Sequence, residues 1–264
     1  MQDIRTMRRR PRGRIDKSSV SIVLLALMLP AAALGEDNRA AARLEAMASF
    51  LAKAPSLSVV VDCAYDVVQD SGEKIEFGER REMVLRRPDR ARIDVARRDG
   101  LHRGLLFDGK DLTVFDVEQK VYATVPKPGT IDAAFTYFTR DLNMRLPLRE
   151  LFSTTLPQDL KDVVGKARLV AQNKLGQVET DHIAFRGDTA DIQVWIARSG
   201  DPLPQRLVIT YRLAEGQPQF EADFSAWNLK PDVPDSLFAF TPAEGAERIP
   251  ILAPGRPEPA KKQP

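Results

Sequence analysis

Between residues 57 and 67 the chain alternates. Leu57, Val59, Val61, Cys63, Tyr65 and Val67 fall on one parity, with Ser58, Asp62 and Asp66 on the other. A strand points successive side chains to opposite faces, so this period of two predicts a strand with one buried and one wetted face. The pattern recurs, less cleanly, over 75–85, 91–95, 101–107, 112–117 and 121–125. Turn residues separate these runs: Asp70-Ser71-Gly72, Pro88-Asp89, Asp99-Gly100, Asp108-Gly109 and Glu118-Gln119. Loops this short join antiparallel neighbours, because a parallel crossover needs a dozen or more residues. Asp-Gly suits a tight hairpin because glycine reaches positive φ without steric cost.

A second set of strand patterns covers 167–172, 178–185, 192–197, 207–213 and 220–227, again with turn residues at the junctions. Between the two sets lie helical signals. Thr130 can cap a helix carrying Ile131, Ala134, Phe135, Phe138 and Leu142. Pro147 suits the first position of a second helix burying Leu148, Leu151 and Phe152, and 157–164 forms a third segment. Ahead of the strands, Ala40, Leu44, Met47 and Leu51 fall at helical spacing within 36–52. The expected class is α+β: an open antiparallel sheet of about eleven strands, which at this width curls, with helices covering its concave face. The aromatic run 234–242 is expected to plug an open end.

Residues 1–17 hold seven Arg or Lys against two acids, and an apolar run, 20–29, and the small residues 31–35 follow. This is the pattern of a secretory signal peptide over 1–35, cleaved near Gly35. The apolar run is shorter than the roughly 20 residues that cross a bilayer, so no transmembrane anchor is expected. Glu36 stands where a lipoprotein would have cysteine. General secretion fits better than twin-arginine export, and the start is either Met1 or Met7. Removing a segment of net +5 takes the chain from +2 to −3. A mildly acidic domain argues against a nucleic-acid partner. Arg80, Arg81, Arg86, Arg87, Arg90, Arg92, Arg97 and Arg98 are interleaved with acids and read as a solvated outer face. One domain spans 36–248. Residues 249–264, with five prolines in sixteen, read as a disordered tail.

The pattern holds no reaction centre. His102 and His182 are far apart, with no His or Cys at metal-ligand spacing, so neither a metal nor a cofactor is expected. Cys63, the only cysteine, shares parity with Val61 and Tyr65 and reads as a buried hydrophobe. No Gly-x-Ser-x-Gly elbow or phosphate-cradling loop occurs. What remains is shape. A curled sheet with more apolar surface than its helices fill leaves a pocket, and the candidate lining is Tyr65, Phe107, Phe135, Phe138, Leu142, Leu151, Phe152, Trp195, Tyr211 and Phe224. The same residues would serve a filled core.

Arg87-Pro88-Asp89-Arg90 at a strand junction, Phe107-Asp108-Gly109-Lys110-Asp111-Leu112-Thr113-Val114-Phe115-Asp116, and Gln119 ahead of the next strand together resemble the periplasmic lipoprotein carrier LolA and its relatives. The region from Ala40 to Arg248 is also similar to a family of predicted periplasmic proteins of unknown function, through 73–77, 122–131 and 234–242. The resemblance implies a half-barrel with helices capping a hydrophobic cavity, in the periplasm. It implies a non-enzymatic carrier or chaperone whose partner is a lipid, an acyl chain or an acylated protein. The alternative is an envelope sensor that binds a protein partner. No functional arginine of the carriers maps onto a particular arginine here.

Overall fold

A computed structural model describes residues 31–251, with side chains described from Asn38 on. Residues 1–30 of the expected signal segment and 252–264 of the expected tail lie outside the described residues. The described chain opens with helix α1 (Ala31–Lys53). Six strands follow: β1 (Ser56–Val68), β2 (Lys74–Arg86), β3 (Arg90–Arg97), β4 (His102–Phe107), β5 (Asp111–Asp116) and β6 (Val121–Pro126). A helical stretch then leads to β7 (Arg168–Leu175), β8 (Val178–Arg186), β9 (Ala190–Ala197), β10 (Pro204–Tyr211) and β11 (Gln219–Asn228). Glu247–Arg248 adds a short β12.

All of these strands form one open sheet, in the order β12-β6-β5-β4-β3-β2-β1-β11-β10-β9-β8-β7. Within β1 to β6 and within β7 to β11, consecutive strands pair antiparallel, as the short turns require. The two meanders are sewn together by β1, which bonds β2 on one side and β11 on the other. The curled antiparallel half-barrel is therefore the observed fold. Its strand count is twelve among the described residues rather than eleven. The extra strand pairs parallel to β6 over Glu247 and Arg248, too short to carry an alternating pattern. The backbone stays on this edge past Arg248, where Ile249 N–H donates to Tyr122 O at 2.8 Å, so the sheet continues into the expected tail.

The core lies between the concave face and the helical pieces. Ala40, Leu44, Met47 and Leu51 of α1 are buried against Leu57, Val59 and Val61 of β1 and the inward residues of β2 and β11. At its amino-terminal half α1 is pinned by charge. Asp181 of β8, 1 % exposed, accepts two hydrogen bonds from Arg39 Nη2, and Arg43 Nε lies 3.3 Å from the same carboxylate. Burying a carboxylate is costly unless cations pair with it, and here the helix supplies two, with Arg198 Nε 3.7 Å away as a third.

Helix α2 (Ile131–Thr136) begins at the expected cap: Thr130 Oγ1 accepts from Ala133 N–H. It continues as a π-helical turn, Tyr137–Asp141. The helix expected from Pro147 is a correction: only a single 3-10 turn, Glu150–Phe152, forms there. Asn143, at φ 51°, has already turned the chain, and a few residues later too little length remains for a stable helix. The third segment breaks at Leu160 into α3 (Leu156–Asp159) and α4 (Lys161–Val164). The run 234–242 does not plug an end. Phe240 stacks on Phe115 and packs tilted against Tyr122, and Phe238 lies under Arg86, all on the outer face of the sheet.

Arg87 ties these layers together. Its Nε donates to Ala54 O at 3.1 Å, and Nη2 donates to Leu51 O at 3.4 Å and Phe152 O at 2.7 Å. One guanidinium thus satisfies carbonyls at the end of α1 and in the 3-10 turn. Arg87→Ala removes charge-assisted bonds and strands half-buried carbonyls, so it should destabilise the fold by about 2–4 kcal/mol. Urea unfolding followed by circular dichroism measures this, and a loss below about 0.5 kcal/mol, the scale of an ordinary surface substitution, would contradict the assignment.

Candidate functional site

Strand register sorts the concave face into rows that run across the sheet. The deepest row is Leu85, Ala91, Phe107, Leu112 and Val125, on β2 to β6 in turn. Next comes Met83, Ile93, Leu105, Val114 and Ala123, also apolar. The third row is Arg81, Val95, Arg103, Asp116 and Val121, and Glu79 pairs with Arg97 beyond it. On β2, β4 and β5, successive residues of one parity therefore step from hydrocarbon to charge by the third row, and β3 does so one step later at Arg97. Helix α2 and its π-helical turn cover the first row and reach over the second only through Phe138.

The uncovered part is a cavity of about 510 Å³. Its floor is Ile93, Leu105, Val114 and Ala123, and its roof is Phe138, Met144 and Leu146 from the segment after α2. Val95, Arg81, Glu79, Arg97, Arg103 and Asp116 stand toward the mouth, where Arg103 and Arg145 are exposed. Its volume is in the range of small-molecule sites. A second depression, about 520 Å³, lies at the ends of β7 to β9 and is walled by Lys174, Glu179, Asp201 and other polar groups. Val178, Ala197 and Leu203 are interspersed among these polar groups, so no continuous apolar strip like that of the first cavity forms.

The roof rests on the sheet through side chains. Leu142 N–H donates to Tyr137 O and Met144 N–H to Phe138 O. Thr139 Oγ1 donates to Phe135 O and accepts from Arg149 Nη1. Among the described residues, the hydrogen bonds of 138–146 stay within 135–149, so the segment is a self-tied flap that apolar contact alone holds down.

Of the expected lining, Tyr65 and Phe138 border this cavity. Phe107, Phe135, Leu142, Leu151, Phe152 and Phe224 are buried in the continuous core instead. Tyr211, 37 % exposed, pairs with Ala190 and does not line the cavity, although it lies within electrostatic reach of Arg145 and Arg81 at the cavity's charged end. Trp195 is a correction. Val194 and Ile196 occupy the core side of β9, which sends Trp195 to the outer face, stacked on His182 at 4.0 Å and under the Arg206 guanidinium at 5.8 Å. The arginine cluster also needs correcting. Arg80 and Arg92 face outward, bonded to Asp62 and Asp94, but Arg81 and Arg97 line the cavity and Arg87 lies under the helices. Sequence reasoning missed Arg81 even though it shares parity with Met83 and Leu85.

Arg81 is 7 % exposed. Its Nε donates to Glu79 Oε1 at 2.6 Å, and its guanidinium carbon sits 5.6 Å from the ring centre of Phe220. Cys63, across the strand pair from Glu79, is buried beside this pair, and burial pushes its thiol pKa up to about 12. His182 Nε2 donates to Gln193 Oε1 at 3.0 Å, and partial burial lowers its pKa. Among the described residues, no group of three or more His, Cys, Asp or Glu is placed to hold a metal ion.

The chain matches, over residues 40–252, the model of the family described as "Predicted periplasmic protein (DUF2092)". It belongs to that family. Among solved structures it is similar to the LolA superfamily protein NE2245 from Nitrosomonas europaea, at 15 % identity over 76 % of this chain and 97 % of that one, with a TM-score of 0.40. It is also similar to the Mycobacterium tuberculosis lipoprotein LppX, at 14 % identity over 75 % and 100 %, TM-score 0.45. An uncharacterized conserved protein from Thermus thermophilus matches at 10 % identity over 81 % and 98 %, also with a TM-score of 0.45. No curated protein matches. Among the described residues, no helix of this family member is long and apolar enough to cross a membrane.

The thiol provides a check on this face. A cysteine with a pKa near 12 is protonated and shielded at pH 8, so Cys63 should resist a disulfide-exchange reagent in the native protein and react fully in urea. Rapid native labelling would mean that the concave face opens to water at Cys63.

Proposed function

We propose that the protein is a non-enzymatic periplasmic carrier that shields a lipid, an acyl chain or an acylated protein in the cavity between β2 to β6 and the flap at 138–146. The observation that carries this reading is the apolar second row left uncovered by helix. Ile93, Leu105, Val114 and Ala123 form a continuous strip, and the space above the strip is roofed by Phe138 and Leu146 rather than filled. An empty apolar space of this size gives up packing contacts that a filled core would make, and a hydrocarbon guest restores them. The flap supplies the entry route, because lifting it breaks side-chain contacts and no strand hydrogen bond. Placement in the periplasm follows the family description and the amino-terminal export pattern, with cleavage near Gly35.

Filling the space tests the reading. Ala123 is 3 % exposed on the cavity floor, and Ala123→Trp would occupy the volume a chain needs. Purified protein should bind a fluorescent fatty-acid probe, and Ala123→Trp should weaken that binding about tenfold or more while the thermal unfolding temperature stays within a few degrees. A wild-type protein that rejects the probe, or a variant that binds it as well, would sink the carrier reading. The sensor alternative would then be the one to pursue.

A further inference from the structure

We infer that the guest is an anionic amphiphile, and that Arg81 is the residue that receives its headgroup. This rests on the carrier reading and goes beyond it by naming the polar end of the ligand. The decisive feature is an unmet donor. Arg81 Nη1 is buried and has no hydrogen-bond partner among the described residues, although Nε and Nη2 of the same guanidinium engage Glu79. An N–H of a buried cation left without an acceptor costs about 1–3 kcal/mol or more, so such groups are rare unless something else arrives to accept from them.

The surroundings say what would arrive. Four arginines border the cavity, Arg81, Arg97, Arg103 and Arg145, against two carboxylates, Glu79 and Asp116. Both carboxylates are engaged, Glu79 by Arg81 and Asp116 by Arg103 at 2.9 Å, and Arg97 has its own partner in Asp99 at 2.5 Å. Arg145, exposed on the flap, has no ion pair among the described residues. Net positive charge therefore remains at the charged end of the cavity, and a carboxylate or phosphate is the group that would complete it. Arg81 and Arg103 are two strands apart in one row, about 10 Å, a span that a headgroup and bridging water can cover. From that row the strands lead directly to Ile93, Leu105 and Val114, where the chain of the same molecule would lie. Charge and hydrocarbon are thus set in the order of an ionised lipid entering tail first.

Competitive displacement of a neutral fluorescent lipid probe tests this with matched ligands: a fatty acid, its methyl ester and an alkyl phosphate of equal chain length. The wild type should prefer both anions over the ester by about tenfold or more, the scale of one charge-assisted hydrogen bond. The relative strength of the two anions distinguishes carboxylate from phosphate. Arg81→Met should bring anion binding down to the ester's level and leave ester binding within about twofold. If that variant fails to fold, the wild-type comparison decides alone. Equal binding of acid, phosphate and ester would overturn the headgroup assignment and leave the carrier reading standing. Failure of every ligand, the ester included, would instead overturn the carrier reading.

Discussion

The structure depends on β1 being bonded along both edges. It pairs with β2 from Ser56 to Val68 and with β11 from Ser58 to Tyr65, so its register is fixed twice. Side chains on a strand repeat every two residues, and a slip of one would send Leu57, Val59, Val61 and Cys63 into water and bring Asp62 inside. With β1 locked, β2 and β11 have no freedom in which parity they turn inward, and each later strand inherits the choice from its neighbour. The cross-strand rows of the concave face are that inheritance made visible.

Those rows also explain why the molecule combines a solid half with a hollow one. On the β7 to β11 side, α1 lies close and its arginines reach the buried Asp181, so helix and sheet are clamped together. Toward β6 the cover is α2 and a flap bonded only to itself. Apolar surface that no helix reaches must face either water or a guest. The charged row at its edge keeps the cavity from being merely greasy. Arg81 in a low-dielectric wall interacts strongly with any anion that approaches, and Glu79, Asp116 and Asp99 offset only part of that cationic field.

Much of the fold was legible because alternation is a local signal. Strands β1 to β11 stand where runs of period two and their turns placed them, and Ala40, Leu44, Met47 and Leu51 turn inward as their spacing requires. Strand β12 left no trace, since two residues cannot show a period. Trp195 was ambiguous for a related reason: in Val194-Trp195-Ile196 both parities are apolar, and only pairing with Leu207 and Ile183 tells which side is inside. The candidate site was less legible than the fold. Whether Phe107 and Phe152 pack solidly or border a hollow depends on how far the helices extend over the sheet, which a strand pattern does not encode. Arg81 and Glu79 could have been placed inward by counting back from Leu85 and Met83, but among so many interleaved charges their parity was read as solvated surface.

The claim that the hollow between β2 to β6 and the flap is where a hydrocarbon chain resides has a direct spectroscopic test. Methyl-labelled protein titrated with a fatty acid should show chemical-shift changes concentrated on Ile93, Val95, Leu105, Val114 and Leu146, with Ile183 and Val194 on the other half of the sheet unmoved. Changes confined to the β7 to β11 half, or none at saturating ligand, would contradict it.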